Sequence, residues 1–382
     1  MDFDLSDEQR ILRDNVERLL TERYSFESRR HHLASEDGWS RAQWSRYAEM
    51  GLLALPFAPC NGGLGGGAVE TLLVMESFGR ALVLEPYLAT VVLAGGLLRA
   101  AGSPAQIAGL APRIAEGNLL LALAQAEPQS RYDLADVATT ARREGDGWLL
   151  SGRKRHVLHG GCADKLLVTA RTSGAQRQRE GITLFIVDSL ARNVQRRGYL
   201  TQDRLRAAEI DLLEARVTDD CVIGEPGAAL PVIERVVDEA ITAVCAEAVG
   251  VMDRAREIAL DYLKVRKQFG VPIGSFQSLQ HRAADMLIQV ELARSMSLYA
   301  AIMTHDANPI ERTRAVSAAK VQIGRSGKFV CEQAIQLHGG IGMTEEGQIG
   351  HYYRRLIMLD LLFGDSNHHL AKLARLGGLA SS

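Results

Sequence analysis

The chain has 382 residues, of which 47% are hydrophobic and 24% are charged, and its formal net charge at pH 7 is −2. These values are typical of a globular protein of two or three domains, and they provide no overall attraction to nucleic acid or to anionic membranes. The five cysteines lie far apart, the first residues are acidic and polar, and no apolar run is long enough to span a membrane. We therefore expect a cytoplasmic protein without a signal peptide, membrane insertion, a disulfide framework or a thiolate metal site.

The first third of the sequence has the spacing of amphipathic helices. Ser6 followed by Gln9 forms a capping-box pattern, after which apolar residues recur on one helical face. Helical periodicity continues through residues 68–84 and 88–101. The sequence therefore predicts an N-terminal helical domain over residues 1–118.

The periodicity changes near residue 119 to short apolar runs that are bounded by Gly, Asp or Ser clusters. Such runs are typical of strands in a small sheet or barrel. They cover residues 119–123, 148–150, 166–170, 182–187 and 210–213. Gly145-Asp146-Gly147 has the composition of a hairpin turn between two of them. We predict a central β-domain over residues 119–226.

Helical periodicity returns after Gly227 in three long segments with wide apolar faces, at residues 232–267, 276–305 and 311–337. Segments of this length suit a helical bundle, which we place over residues 227–382. The order of helices, strands and helices predicts a mainly α protein with a central β-domain.

Two motifs invite a ligand-binding interpretation that their surroundings do not favour. The glycines at residues 62–67 resemble a dinucleotide fingerprint, but prolines precede them and no βαβ alternation follows, so a flexible or tight loop is the better interpretation. His368 and His369 are adjacent, and no third metal ligand stands at helical spacing. We predict no metal site.

The sequence RKQFG at residues 266–270, followed by FQSLQ at residues 276–280, is more informative. It places a cation, amides and an aromatic ring where one helix ends and the next begins. Such a corner is able to hold a diphosphate and to stack on or hydrogen-bond an adenine ring. The alternative is a capped turn between two helices with an exposed arginine, and the residues alone leave both interpretations open.

The sequence QLHGGIGM at residues 336–343 ends the third long segment. Its three glycines allow backbone N–H groups to approach a ligand closely and form an anion-binding concavity. A helix C-cap would need only one or two glycines. The third glycine and the preceding glutamine therefore favour a ligand.

Together the two segments resemble the two sequence signatures of acyl-CoA dehydrogenases, and the order of domains resembles that family over essentially the whole chain. The resemblance implies a helical N-terminal domain, a β-barrel middle domain and a C-terminal four-helix bundle. It also implies that both signatures bind the ADP half of FAD across a subunit interface. The residues that it assigns to this binding are Arg266, Gln268, Phe269, Gln277, Gln336, Gly339 and Gly340.

The family reaction removes an α-proton from an acyl-CoA while a hydride leaves the β-carbon for the flavin, and a glutamate is usually the base. Counted without a gap from residues 353–355, the position of that base holds Phe363, with Asp365 two residues later. Some members carry the base on an earlier helix, and there this chain has Ala240, with Glu239 one residue away and rotated by about 100°. Neither position holds a carboxylate.

The segment that contacts the flavin ring in the family also departs from the family pattern. A Trp-x-Thr-Asn run is replaced by residues 156–159, which place Leu158 where a threonine faces flavin N5. The upstream pattern Glu-Pro-Gly-x-Gly-Ser-Asp survives only as Glu127-Pro128. The adenine-side residues are therefore retained and the reaction-side residues are changed.

This combination resembles the small subunit of heteromeric acyl-CoA dehydrogenases, and most closely that of pimeloyl-CoA dehydrogenase. The resemblance implies an FAD-dependent oxidoreductase subunit that acts on acyl-CoA with a second dehydrogenase-like subunit, with itself, or with both. It further implies a dimer or tetramer built mainly from residues 226–382, and an electron-accepting flavoprotein as a possible further partner. The alternatives are a self-sufficient homo-oligomeric dehydrogenase that uses Asp365 or Glu239 as its base, and a flavin-free scaffold or acyl-CoA-binding subunit.

Overall fold

The computed structural model of the protein describes residues 5–377, and its N-terminal third is helical. The α-helices are α1 (Asp7–Arg23), α2 (Phe26–Ala34), α3 (Arg41–Glu49), α4 (Ala68–Ala81), α5 (Gly95–Ala101) and α6 (Pro104–Ala115). A π-helical segment, Leu88–Ala94, runs directly into α5, so the predicted helix over residues 88–101 is continuous. Both hydrogen bonds of the predicted capping box are present, since Ser6 Oγ accepts from the Gln9 N–H and Gln9 Oε1 accepts from the Ser6 N–H.

The centre of the chain folds into one mixed sheet of eight strands among the described residues. The strands are β1 (Leu121–Ala124), β2 (Thr140–Glu144), β3 (Gly147–Leu158), β4 (Lys165–Arg171), β5 (Ile182–Asp188), β6 (Val194–Leu200), β7 (Arg206–Thr218) and β8 (Val222–Ile223). Their order is β6-β7-β3-β2-β4-β5-β8, and β1 pairs with β4 in parallel. The family resemblance implied a β-barrel here. In the strand order of the structure, β6 and β8 lie at the two ends of the sheet.

The β2–β3 hairpin closes at the predicted turn. Glu144 pairs with Gly147, which leaves Gly145 and Asp146 as a two-residue loop, and Gly145 has φ +59°. A positive φ at the first loop position is what the tight hairpin turns of right-twisted strands require. Strands β2 and β6 were not predicted because most of their side chains are polar and exposed, so they lack an apolar run.

The remaining part of the chain forms the long C-terminal helices. They are α7 (Leu230–Val265), α8 (Gln277–Met303), α9 (Pro309–His338), α10 (Gln348–Leu361) and α11 (Ser366–Arg375). A short hairpin of β9 (Lys267–Gln268) and β10 (Val271–Pro272) joins α7 to α8. Helix α9 packs against α8, α10 and α11. The predicted fold class, mainly α with a central sheet, is confirmed, whereas the domain boundaries stay a prediction.

Two compact units are distinguished by the distribution of contacts along the chain. The first contains the described residues of Met1–His31, Ala68–Val83 and Ile241–Ser382, and the second contains His32–Gly67 and Leu84–Ala240. No helix within residues 5–377 combines the length and the apolar character needed to cross a membrane.

The glycines at residues 62–67 belong to the second unit, where they close a tight loop. The N–H groups of Gly65 and Gly66 donate to the carbonyl oxygens of Phe57 and Leu55, at 2.8 and 2.7 Å. A Cβ at Gly63 would lie 1.9 Å from the Phe57 carbonyl oxygen, so the backbone approaches itself too closely for a side chain. The loop interpretation is confirmed, since the backbone at Gly63, Gly65 and Gly66 contacts the chain itself.

In the first unit, α4 and α7 cross at a distance that only glycine allows. A Cβ at Gly79 would lie 2.0 Å from the Glu247 carbonyl oxygen, and a Cβ at Gly250 would lie 1.9 Å from the Glu76 carbonyl oxygen. The same stretch of α7 binds α10 through a two-pronged ion pair, in which Arg355 Nε and Nη2 donate to the Glu247 carboxylate at 2.6 and 2.7 Å. Both side chains are more than nine-tenths buried.

We expect the substitution Arg355→Met to lower the free energy of unfolding by about 3–5 kcal/mol, because it leaves the Glu247 carboxylate buried without its partner. Urea denaturation followed by circular dichroism measures the change. The double variant Glu247→Leu, Arg355→Met should recover most of the loss, since replacing a whole buried pair by apolar side chains is often close to neutral. A single variant as stable as the unmodified protein would contradict this role for the pair.

Candidate cofactor and reaction sites

The first signature forms an exposed corner after α7. Gln268 pairs with Val271 across the β9–β10 hairpin, and the two residues between them, Phe269 and Gly270, have φ values of +54° and +83°. The Phe269 ring is 91% exposed at the tip of this turn. Arg266 is also exposed, and its carbonyl oxygen accepts from the Ile273 N–H at 2.8 Å, which closes the base of the hairpin.

The helix after this hairpin begins at the predicted cofactor residue Gln277, which is exposed in its first turn. Gln280 Nε2 donates to the Gly274 carbonyl oxygen at 2.9 Å and fixes the connection to the hairpin. The two glutamines of FQSLQ therefore differ in role. Gln280 stabilises the corner, and the Gln277 side chain is exposed to solvent.

The second signature ends α9 and leaves backbone open to solvent. Gln336, Gly339 and Gly340 are exposed, and Gly339 has φ +61°. A Cβ at Gly340 would meet no atom within 4 Å, so packing does not require glycine there. By contrast, a Cβ at Gly342 would lie 2.9 Å from the Ile335 carbonyl oxygen. An open glycine backbone next to an exposed amide is suited to close contact with a ligand.

Stacked rings and a side-chain hydrogen bond bring the two signatures to the same end of the helices. The rings of Tyr262, near the end of α7, and His338, at the end of α9, stack with centroids 4.6 Å apart. Arg282 Nη1, in the second turn of α8, donates to Gln333 Oε1 of α9 at 2.8 Å. Because α7 and α9 end where α8 begins, the cation, ring, amides and open glycines share one region.

These groups fit the ADP half of FAD. An exposed guanidinium and backbone N–H groups suit a diphosphate, and an exposed ring with neighbouring amides suits an adenine. The fit rests on what the fold leaves uncovered. A Cβ at Gly340 would meet no atom within 4 Å, and Phe269 stays 91% exposed although its ring contacts the Phe276 ring edge-on, with centroids 6.1 Å apart.

A sharp turn between α10 and α11 carries Phe363, the residue that the sequence count assigned to the family's base position. Phe363 is half-buried with φ +61°, in the left-handed region that non-glycine residues seldom occupy, and Gly364 follows with φ +114°. His369 Nε2 lies 3.2 Å from the Phe363 carbonyl oxygen, and His369 Nδ1 lies 3.1 Å from Ser317 Oγ. His369 therefore links the turn to α9, because its Nε2 donates to the Phe363 carbonyl oxygen and its Nδ1 accepts from Ser317 Oγ.

The Asp365 carboxylate caps the helix that follows the turn. Asp365 is the N-cap residue of α11, and its Oδ1 accepts from the His368 N–H at 2.8 Å. On the other side of the turn, the buried Lys320 ammonium donates to the Leu359 carbonyl oxygen, and burial lowers the pKa of Lys320. The turn is thus anchored by a cap, a buried cation and His369, and sequence patterns identified none of these contacts.

The other candidate base, Glu239, lies on the part of α7 that belongs to the second unit. Its carboxylate pairs with Arg99 at 2.8 Å and with Arg235 at 3.6 Å. Ala240, which the sequence count assigned to the family's alternative base position, is fully buried. Glu239 is thus held by two guanidinium groups.

In the sheet of the second unit, Glu127 has an internal partner that sequence reasoning missed. Lys154 Nζ donates to Glu127 Oε1 at 2.6 Å, and the Glu127 carboxylate also accepts from the N–H groups of Ala138 and Thr139. Burial lowers the pKa of Lys154 to about 8. Burial opposes ionisation of Glu127 as well, but Lys154 and the hydrogen bonds outweigh it, so the pKa of Glu127 is lowered. Glu127 therefore fixes the loop before β2.

Residues 156–159, which the family resemblance matched to the Trp-x-Thr-Asn run, lie at the irregular end of β3. The pairing of β3 with β7 shifts register between Lys154 and Val157, and His156 in this bulge has φ +54°. Its Nδ1 lies 3.2 Å from Tyr199 Oη, and burial lowers the pKa of His156. Leu158 ends the strand with an apolar side chain that has no hydrogen bond to offer.

Three models of one protein family match consecutive parts of the chain. The N-terminal domain model of acyl-CoA dehydrogenase matches residues 6–118, the middle domain model matches residues 122–213, and the C-terminal domain model matches residues 230–377. The chain belongs to the acyl-CoA dehydrogenase family. It is therefore an oxidoreductase acting on acyl-CoA, or a subunit of one, in a family that generally binds FAD.

Relatives match the chain over most of its length. The probable acyl-CoA dehydrogenase YngJ of Bacillus subtilis is 28% identical, over 98% of this chain and 99% of that protein. Subunit CarC of the caffeyl-CoA reductase–Etf complex of Acetobacterium woodii is 29% identical, over 84% and 85%. Among solved structures, a variant of the Tcur3481–Tcur3483 steroid ACAD is 29% identical with a TM-score of 0.87, and the match covers 97% of both chains.

The anchoring of the turn by His369 predicts a pH dependence of stability. Burial lowers the pKa of His369 from 6.5 to about 3, so the unfolded chain takes up this proton at a higher pH than the folded chain. Neutral His369 therefore contributes to the free energy of unfolding above pH 6.5, and this contribution is lost as the pH falls from 6.5 towards 3.

We expect His369→Gln to flatten the loss of stability over this acidic range, as measured by urea denaturation at a series of pH values. The matched control is His305→Gln, because His305 is exposed, and its profile should follow that of the unmodified protein. Identical acidic slopes for His369→Gln and the unmodified protein would contradict the assignment.

Proposed function

We propose that this chain is the small subunit of a heteromeric, FAD-dependent acyl-CoA dehydrogenase, similar to the small subunit of pimeloyl-CoA dehydrogenase. It would contribute residues at the end of its C-terminal helices to FAD binding and leave proton abstraction to a partner subunit. The observation that carries the proposal is the turn at Phe363, because the ungapped sequence count assigns this hydrocarbon side chain to the family's base position.

The carboxylate closest in sequence to that position already has a structural task. Asp365 caps α11 through a charge-assisted hydrogen bond, which is strongest while the carboxylate is ionised. Protonation during a catalytic cycle would weaken this bond at the start of α11. The side chain is also one methylene shorter than the glutamate of the family. Both features favour a capping residue over a base.

The alternative base on α7 is similarly occupied. To accept a substrate proton, Glu239 would have to leave its 2.8 Å contact with Arg99, and it would also lie beside Arg235. Separating a half-buried carboxylate from a guanidinium costs more than separating a fully exposed pair. This supports a chain that lacks its own general base.

The signatures at the ends of α7 and α9 support FAD as the cofactor. Arg266 and the backbone at Gly340 would contact the diphosphate, and Phe269 with Gln336 would contact the adenine side. When bound, FAD supplies the acceptor for the substrate hydride. Val265, Phe269 and Val271 are all exposed at this corner, and a cluster of exposed apolar side chains supports a second chain that covers the region.

The similarity to CarC supports multi-chain assembly in general. CarC is a subunit of a complex that includes an Etf component, and it aligns with most of this chain. We propose by analogy that an electron-transferring flavoprotein accepts the electrons of the assembled enzyme, and that the enzyme works in the cytoplasm.

We expect the chain expressed alone to bind flavin poorly and to desaturate acyl-CoA about 10²–10⁴-fold more slowly than its complex with a catalytic partner, because a positioned general base is worth about that factor. The measurement is flavin absorbance per chain, followed by bleaching with acyl-CoA, for the chain alone and after co-expression with a neighbouring dehydrogenase-like gene. A yellow homo-oligomer with brisk turnover would support the self-sufficient alternative. A chain that stays colourless with its partner would support a flavin-free scaffold.

Within the complex, Gly340→Val should lower the flavin content, because the added side chain would fill space that the fold leaves open for the ligand. Gly109→Val is the matched control, since a Cβ there also meets no atom within 4 Å and the site lies on α6. Equal flavin content in both variants would count against FAD contacts from this chain.

A second prediction separates capping from catalysis at Asp365. Asparagine caps helices about as well as aspartate but cannot act as a base, whereas alanine does neither. We expect Asp365→Asn to keep the turnover of the flavin-loaded enzyme within about twofold, while Asp365→Ala loses about 0.5–2 kcal/mol of stability. Abolished turnover in Asp365→Asn with unchanged stability and flavin content would identify Asp365 as the base.

A further inference from the structure

A second pocket lies in the first unit, apart from the cofactor signatures. It has a volume of about 420 Å³ and opens where the end of α1 and the start of α2 face α4, α7 and α10. This volume is within the range of small-molecule sites. Its polar lining includes Glu17, Thr21, Ser25, Arg80, Arg254 and Tyr352. None of the residues proposed to contact FAD, and neither candidate base, contributes to it.

One wall of the pocket carries two guanidinium groups that hydrogen bonds and ion pairs hold in place. Tyr352 Oη donates to the Arg80 carbonyl oxygen at 2.7 Å, and burial raises the pKa of Tyr352 to about 12, so the phenol stays neutral. The Glu257 carboxylate fixes both guanidinium groups, with Arg80 Nη2 at 2.8 Å and Arg254 Nη1 at 2.9 Å. Two cations thus share one carboxylate on this wall.

Arg254 retains the capacity to bind a further anion. Its side chain is 41% exposed, and within the described chain Glu257 is the one carboxylate that pairs with it. A guanidinium has five N–H donors in a planar fork that suits carboxylate or phosphate oxygens. Arg80 is less available, because its other terminal nitrogen already donates to Asp253 at 2.7 Å.

The opposite wall is lined by acceptors and hydroxyl groups. Glu17 is exposed at the mouth, and Thr21 and Ser25 add hydroxyl groups beside it. A bare anion would meet repulsion from Glu17, whereas a molecule that also carries hydroxyl donors would satisfy both walls. Charge complementarity therefore selects a small acid with hydroxyl groups.

We propose that this pocket binds a small hydroxylated acid, a carboxylate or a phosphate ester, with its acidic group on Arg254 and its hydroxyl groups towards Glu17, Thr21 and Ser25. The proposal does not depend on the subunit role, because the pocket is complete within one unit of this chain. The acidic group of the ligand would be the main source of affinity, since hydrogen bonds between charged groups are about twice as strong as neutral ones.

Isothermal titration calorimetry of the full-length chain with glycerate and with glycerol 3-phosphate tests the proposal. These probes share their hydroxyl groups and differ in the acidic group, so their relative affinities distinguish a carboxylate site from a phosphate site. We expect at least one to bind, and Arg254→Gln to weaken it by about tenfold or more, because a charged hydrogen bond is lost.

The matched control is Arg256→Gln. Arg256 lies two residues along α7 and binds Asp253 at 2.8 Å without lining the pocket, so this variant should bind like the unmodified chain. Thermal melting verifies that both variants fold. The proposal is overturned if neither probe binds at up to about 10 mM, or if the two variants weaken binding equally.

Discussion

The close crossing of α4 and α7, with α10 fastened to it, is the constraint on which the first unit depends. Gly79 and Gly250 allow two helix backbones to touch, and no larger residue fits at either point. Immediately beside this crossing, Glu247 holds Arg355 of α10 in a buried ion pair. A helix held at its centre in this way has its ends fixed as well, and the turn at Phe363 follows directly from the end of α10.

The turn at Phe363 is held by contacts from three side chains. The contacts that set its geometry are present: Lys320 holds the end of α10, Asp365 caps α11, and His369 binds the Phe363 carbonyl oxygen. The side chain at its apex, Phe363, is a hydrocarbon without acid–base chemistry. Under the proposed function, such a turn would serve a supporting subunit, because its surface would still have to match a partner.

A buried ion pair also holds part of the second unit in place. Glu127 and Lys154 form a fully internal pair that fixes the loop before β2, and this pair does not depend on the residues after Pro128. Near the end of β3, a bulge brings His156 Nδ1 within 3.2 Å of Tyr199 Oη, and the strand ends at Leu158, which has an apolar side chain. Buried charged pairs therefore hold neighbouring segments together in both units.

The sequence by itself determined the elements and the family. Periodicity predicted the long helices and most strands, the Ser6–Gln9 pattern predicted a helix start, and the pair of signatures predicted the acyl-CoA dehydrogenase fold. These features are local or lie within short motifs, so neighbouring residues suffice to specify them. Strands β2 and β6 escaped prediction because exposed polar strands carry no apolar signal.

Only the tertiary structure decided what the individual charged groups do. The sequence offered Asp365 and Glu239 as bare carboxylates, and folding gave one a helix to cap and the other a guanidinium partner 140 positions away in the chain. Folding also brought Arg80 and Arg254 to one pocket, where both guanidinium groups donate to the Glu257 carboxylate. The cap at Asp365 and the contact of Arg254 with Glu257 each join residues three positions apart, so a local pattern exists for them. Arg99 lies 140 positions from Glu239, and Glu257 lies 177 positions from Arg80, and such pairs leave no local pattern, because the packing of helices creates them.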